Sequence, residues 1–437
     1  MADYSRRSFL GMGAALPALA AADTHQQHAG SDRHVHLLEG IKRENLTIRD
    51  VTVTLLSYEL PREKQWLTAS MVTWKTDAVL VRVYTDQGIV GIGESTPYNQ
   101  PVEIKQFVEG VVRPAIIGKN PFDVELLACG WGDEYHKFGA MAGVDAAMWD
   151  IIGKAKNLPV YKLLATDNEP NPHIRMYASG GVEYAWYKRP EDLIDEAVRH
   201  KEEGYTAFKF RIGTEWKNSG MTVEKYIPYV RKLRDAVGPK FDLMQEGNMR
   251  FTLEEALQLC PVLEELKFLW FEEPVSRFKP GAMDRYIQIV KAMPTVLVSG
   301  GETIEHRFDF KPWIDRDAYG IVQPDCNQVG VTEAWQIARL ANLRQKHCCP
   351  HNWHGGLTTM ANAALVAGIP NRFMLELNQT YNPLKEEIFK EPLVVKHGYM
   401  DLPNKPGFGV ELIDDVEKKF PYLPGRYDKP NPELPPA

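Results

Sequence analysis

From about residue 172 the chain repeats one unit: a short apolar strand-like run, a loop, then a helical pattern. Strand candidates lie at 174–179, 206–211, 241–246, 268–272, 296–300, 320–324, 347–350 and 373–377. The clearest helical stretches between them are 190–203, 222–236, 252–266 and 331–345. Eight such units over roughly 210 residues predict a (β/α)8 barrel; a doubly wound sheet would need fewer strands. Three successive runs end in an acid: FDLMQEGN at Glu246, FLWFEEP at Glu272 and VLVSGGE at Glu302. Chemistry in such barrels sits at the carboxyl ends of the strands. Three carboxylates at one barrel mouth repel one another without a cation, and a hard, oxygen-seeking ion such as Mg2+ is the simplest remedy. The chain therefore reads as a metal enzyme.

Residues 46–170 read as a separate α+β unit. Ile48 to Tyr58 alternates as a strand does, and 78–84 with 89–92 form a hairpin around Asp86-Gln87-Gly88. Helical patterns follow at 101–117 and 139–165, the second broken at Asn157-Leu158-Pro159. Gln65 to Trp74 is rich in aromatic and small polar residues, as a binding loop is. The barrel spans 171–390, and the Pro- and Gly-rich tail, 391–437, is expected to return to the N-terminal unit.

The ends of the chain and its charge add further expectations. Ser5-Arg6-Arg7-Ser8-Phe9-Leu10 followed by an apolar run to Ala22 reads as a twin-arginine export signal over 1–22, which predicts a periplasmic protein. Residues 23–45 then read as a linker. A formal charge of −7 with no basic stripe argues against nucleic acid as a partner. No run of eighteen apolar residues predicts a membrane span. The cysteines Cys129, Cys260, Cys326, Cys348 and Cys349 are odd in number and mostly in apolar contexts, which suits buried thiols; Cys348 and Cys349 should face opposite ways on a strand.

The motifs together resemble the enolase superfamily, in its mandelate racemase-like group, over about residues 46–415. The resemblance rests on VDAAMWDIIGKAKNLPVYKLL, Lys209-Phe210-Arg211, Glu246-Gly247-Asn248, Trp270-Phe271-Glu272-Glu273-Pro274, Gly301-Glu302, Gln323-Pro324-Asp325, Pro350-His351-Asn352, Leu375-Glu376 and the closing LPNKPGFGVEL. It implies a modified (β/α)8 barrel capped by the N-terminal α+β domain, one Mg2+ per subunit, a small-molecule carboxylate substrate and a homo-oligomer. It also implies removal of the proton α to that carboxylate, with Glu246, Glu272 and Glu302 as metal ligands. Glu246 stands where the family more usually has Asp. By the same resemblance Lys209 sits against the substrate carboxylate, and Asp325 orients His351 as a catalytic dyad. Arg211 stands where many relatives carry a Lys base. Arginine is a poor base, so it either binds substrate or acts in an unusual site. Glu376 either donates a hydrogen bond to the enolate when protonated or holds a donor when not. His354 either touches substrate or shapes its loop. Asn248 is expected to touch substrate, Trp66, Trp74, Trp216 and Trp353 to wall the pocket, loops 65–75, 212–220 and 351–356 to set the substrate, and Glu273 to lie behind the ligands.

One good base, His351, favours dehydration of an acid sugar to a 2-keto-3-deoxy acid over a two-base racemisation. The alternative is epimerisation or cycloisomerisation of a sugar acid or lactone through the same enolate. A sugar-acid binding protein without catalysis is disfavoured, since no ligand or dyad residue is missing.

Overall fold

The computed structural model describes residues 36–68, 71–97, 100–127, 135–185, 188–211 and 220–432. The twin-arginine segment 1–22, most of the linker reading, Cys129, and Trp216 with nearly all of loop 212–220 lie outside the described residues.

The N-terminal part is built on a three-stranded antiparallel sheet. In it β1 (Ile48–Glu59) pairs with β4 (Lys75–Thr85), which pairs with β5 (Val90–Ser95). A side hairpin, β2 (Trp66–Thr68) and β3 (Met71–Thr73), interrupts the run from β1 to β4. The helix Tyr135–Lys156 lies on this sheet, and residues 139–152 of it are buried on every side. Its sequence is apolar all round for that reason, because the barrel helix Cys326–Asn342 covers its other face. The approach to β5 is close. A Cβ at Gly93 would stand 2.0 Å from the carbonyl oxygen of Gly143, so only glycine fits. The helix stops before Pro159, and a short helix, Val160–Leu164, follows the break.

The barrel strands are β6 (His173–Gly180), β7 (Ala207–Arg211), β8 (Asp242–Glu246), β9 (Trp270–Glu272), β10 (Leu297–Gly300), β11 (Ile321–Val322), β12 (His347–Cys348) and β13 (Leu375–Asn378). All run parallel in sequence order, and β13 pairs back onto β6. The seam between β12 and β13 is a single bridge, Cys348 to Arg372. Alternation sorts the barrel interior into layers. Tyr177, Ala207, Met244, Trp270, Ile321 and Cys349 form an apolar floor. One step further along the strands stand Ser179, Lys209, Glu246 and Glu272. Cys348 packs in the outer core while Cys349 joins the floor, so the adjacent thiols do face opposite ways. Cys260, Cys326, Cys348 and Cys349 are free and buried.

Two segments behave differently from the sequence reading. Residues 36–45 are not a loose linker: Lys156 Nζ donates to Glu44 Oε1 at 2.6 Å, Asn120 donates to the Glu44 carbonyl, and Leu37, Leu38 and Ile41 pack on the core. The tail visits the barrel before the cap. After β14 (Val395–Lys396), β15 (Tyr399–Asp401) pairs antiparallel with β6; Phe408 N donates to Asp150; and β16 (Asp428–Pro430) adds a strand beside β3. Among the described residues no helix is long and apolar enough to cross a membrane.

Candidate active site

Lys209 stands at the centre of the charged layer. Its Nζ donates to Glu272 Oε1 and lies 2.9 Å from Glu376 Oε1 and 3.4 Å from Glu246 Oε2. Burial works against its charge, but Glu246, Glu272 and Glu376 outweigh it and hold the ammonium protonated. Glu376, on β13, also accepts from Ser179 Oγ at 2.6 Å and from Asn352 N at 2.8 Å. Burial alone would raise it; Lys209 and His351 bring it below the usual carboxyl range. Here Glu376 is surrounded by donors from Lys209, Ser179 and Asn352.

Glu272 is gripped on both oxygens. Trp270 Nε1 and Gln323 Nε2 donate to Oε2 at 3.0 and 2.6 Å, while Oε1 faces Lys209. Burial pushes its pKa up, and Glu246 and Glu376 add to the rise against the pull of Lys209. Glu246 Oε1 accepts from Asn248 Nδ2 at 3.1 Å and lies 3.9 Å from Arg211 Nη1. Asn248, in left-handed backbone at φ 43°, thus touches a carboxylate of the site through its amide. One oxygen each from Glu246, Glu272 and Glu302 lie within 4.8 Å of one another. This is an all-oxygen donor set whose members repel, and it fits a hard divalent cation such as Mg2+. Glu273, in the same stretch, accepts from Gly301 N and keeps its other oxygen buried without a partner. Burial, Glu302 and Glu272 all raise its pKa well above the ordinary carboxyl value.

Beside these acids stands His351. Its Nδ1 is 2.7 Å from Asp325 Oδ2 and its Nε2 is 3.3 Å from Glu302 Oε2. Burial lowers its pKa; Glu302, Asp325 and Glu376 raise it to about 10. Asp325 N-caps the helix Cys326–Asn342, its Oδ1 accepting from Asn327 N and from Asn362 Nδ2. His354 Nε2 lies 3.1 Å from the same Asp325 Oδ2 that meets His351. Asp325, His351 and His354 also have metal-ligand spacing, but their contacts with one another account for it. Burial would raise Asp325; His354 and His351 together hold it below its ordinary range.

Arg211 lies over Trp353, its guanidinium carbon 5.1 Å from the ring centroid. Trp353 meets Trp66 edge-on at 5.7 Å. Trp74, expected at the pocket wall, is elsewhere: its Nε1 donates to the Arg426 carbonyl and Lys429 covers its ring at 4.1 Å. The reason is strand alternation. Trp66 is paired with Thr73, so the next residue along, Trp74, faces the other side. Trp66, named with Trp353 as a candidate wall residue, stands against Trp353, whereas Glu94 was not foreseen. Glu94, the last residue but one of β5 in the cap, is buried and accepts from Gly355 N and Thr358 N at the start of the helix Gly356–Gly368. Its signal was an acid near the end of a buried strand after Gly91 and Gly93. A groove of about 760 Å³ lined by Val90, Lys154, Leu393 and Val410 holds none of the charged residues above.

Residues 192–416 match the family described as enolase C-terminal domain-like, and residues 51–165 match the mandelate racemase / muconate lactonizing enzyme N-terminal domain. The chain belongs to the enolase superfamily. Within it, the chain is similar to an arabinonate dehydratase of Saccharolobus solfataricus, 28% identical and covering 85% of this chain and 99% of that one. It is similar too to a D-galactarolactone cycloisomerase of Agrobacterium fabrum, 29% identical over 86% of this chain and 99% of that one. Among solved structures, an enolase superfamily member from Polaromonas sp. JS666 superposes with a TM-score of 0.76 at 30% identity, covering 87% of this chain and 99% of the other. The superfamily fold, a capping domain on an α/β barrel, is the one described above.

Proposed function

We propose that the protein dehydrates an acid sugar of the aldonate or uronate type, by removing the proton α to its carboxylate, and releases a 2-keto-3-deoxy acid. The observation that carries the reading is two groups brought together at the barrel mouth: three carboxylate oxygens within 4.8 Å of one another, and the Asp325–His351 dyad, whose Nε2 lies 3.3 Å from Glu302 Oε2. Dehydration is the reaction named for the arabinonate dehydratase and for a D-xylonate dehydratase 28% identical to this chain.

The α-proton of a carboxylate is too weakly acidic for an ordinary base unless the growing negative charge is met as it forms. Held by Glu246, Glu272 and Glu302, Mg2+ would supply positive charge beside the substrate carboxylate. Lys209, kept protonated by its acidic neighbours, supplies a second cationic donor at the same place. His351 accepts the α-proton at Nε2, while Asp325 at Nδ1 fixes its tautomer and supports the imidazolium. Glu302 is the largest of the influences that hold a proton on His351, and a cation held by Glu302 would offset it. The imidazolium then protonates the leaving β-hydroxyl, water departs, and the enol tautomerises to the ketone. Export by the twin-arginine route after folding belongs to the same proposal and rests on Ser5 to Ala22 alone.

A panel of acid sugars with Mg2+, scored for 2-keto-acid formation in D2O, tests the reading. Formation of a 2-keto-3-deoxy acid from at least one member is expected. Deuterium entering the α-carbon with no loss of water would replace dehydration by epimerisation or cycloisomerisation. That second reading is favoured by the cycloisomerase relative, and it requires Arg211 to act as an unusual base.

A further inference from the structure

Among the described residues, three nitrogen donors at the cap side of the site have no hydrogen-bond partner: Trp66 Nε1, Trp353 Nε1 and Arg211 Nε. All three atoms are shielded from solvent, and Trp66 as a residue is only 7% exposed. They belong to one constellation, since Arg211 stacks on Trp353 and Trp353 meets Trp66. A buried donor left unpaired is costly, and folded proteins rarely keep several in one place without a use for them. The aromatic cluster also includes Tyr58 and Tyr381, and their hydroxyls pair with each other.

We propose that Trp66, Trp353 and Arg211 form the subsite for a second carboxylate at the far end of the substrate, which makes the preferred substrate an aldarate, a sugar diacid. The proposal rests on the enolate reading above and extends it. The group that satisfies these donors must bring acceptors, and three donors call for more than one acceptor oxygen. A terminal hydroxymethyl brings a single oxygen, whereas a carboxylate brings two acceptor oxygens and no donor. Arg211 supplies the opposing charge, and the two indole N–H groups supply direction. Arg211 also lies 3.9 Å from Glu246, so it joins this end of the site to the carboxylate cluster where the reacting end binds. Trp66 comes from β2 of the cap and Trp353 from the loop after β12, so the subsite is complete only when cap and barrel are joined. Leu67 N donates to the Val182 carbonyl at 2.8 Å and fixes that junction.

The test is α-deuterium exchange in D2O with the Mg2+-loaded full chain, on matched pairs of aldarate and aldonate with the same length and stereochemistry. Trp66→Phe and Trp353→Phe keep an aromatic six-membered ring and delete the N–H together with the pyrrole ring that carries it. The wild type should favour the aldarate by at least tenfold in kcat/KM. Each variant should cut that ratio by about tenfold, through KM for the aldarate. Equal or better use of the aldonate by the wild type would overturn the proposal, as would variants that lose both substrates in equal proportion. If no acid of either kind exchanges, the enolate reading itself fails and this inference falls with it; exchange without preference removes only the diacid.

Discussion

At the scale of single residues, ligand and base can be separated by one substitution each. In Glu272→Gln the amide NH2 must face either the Lys209 ammonium or the donors Trp270 Nε1 and Gln323 Nε2, so one donor pair always collides. The variant should lose at least tenfold in Mg2+ affinity, measured by titration calorimetry, and about 1–3 kcal/mol of stability. Unchanged affinity would remove Glu272 from the ligand set. His351→Asn should behave in the opposite way: metal content after desalting stays at the wild-type level, while α-proton exchange falls by about 10³ or more. These residues were legible because strand period and strand end are written in the sequence around them. Glu94 was not, since period assigns a face within one element and says nothing of which distant element meets it. The partners of Glu94 are more than 250 positions away.

At the scale of elements, the helix Cys326–Asn342 carries the clearest lesson. Sequence placed a helix at 331–345, yet the element begins at Cys326 and breaks at Gly330, where φ is 83°. The restart after that break gives the helix a second N-terminal end, and Asp145 from the cap helix accepts there from Thr332 N at 3.0 Å and Thr332 Oγ1 at 2.5 Å. Trp149 Nε1 donates to the same hydroxyl, so two helices from different domains share one buried knot. Burial pushes Asp145 up to about 7 from an ordinary value of 3.8. The folded chain therefore holds a proton that the unfolded chain has released across that interval. The stability this contributes is complete below pH 3.8 and is lost as pH rises through about 7. Asp145→Asn should remove this slope: the hydroxyl of Thr332 can turn and accept from the amide. Urea midpoints measured at pH 5 and pH 8 should differ less in the variant than in the wild type. Equal differences would show that Asp145 titrates as it does in the unfolded chain.

At the scale of the whole molecule, cap and barrel are held together by polar contacts as well as apolar burial. Trp335 Nε1 donates to the Leu164 carbonyl, Glu94 meets the start of a barrel helix, and β15 and β16 tie the tail to barrel and cap in turn. The barrel and its eight strands were readable from periodicity, whereas this last arrangement was not, because short Pro- and Gly-rich strands carry no period to read. It bears on function through β3. The tail strand β16 pairs with β3, β3 pairs with β2, and β2 carries Trp66 to the site. Arg426 supplies the carbonyl that holds Trp74 on the other face of the same hairpin. A chain ending at Gly425 loses β16 and that carbonyl but keeps the Leu423 carbonyl that accepts from buried Lys75, so the cap sheet keeps its anchor. With its third strand gone the hairpin has only one partner left, and a lone two-stranded ribbon is barely stable in water. Trp66 should then be held less firmly while Glu246, Glu272 and Glu302, all on the barrel, stay in place. The truncated protein is expected to show KM raised several-fold for its substrate, Mg2+ affinity unchanged and kcat reduced less than KM is raised. A loss of Mg2+ affinity equal to the rise in KM would mean that the tail supports the barrel mouth itself and that the hairpin is not the path.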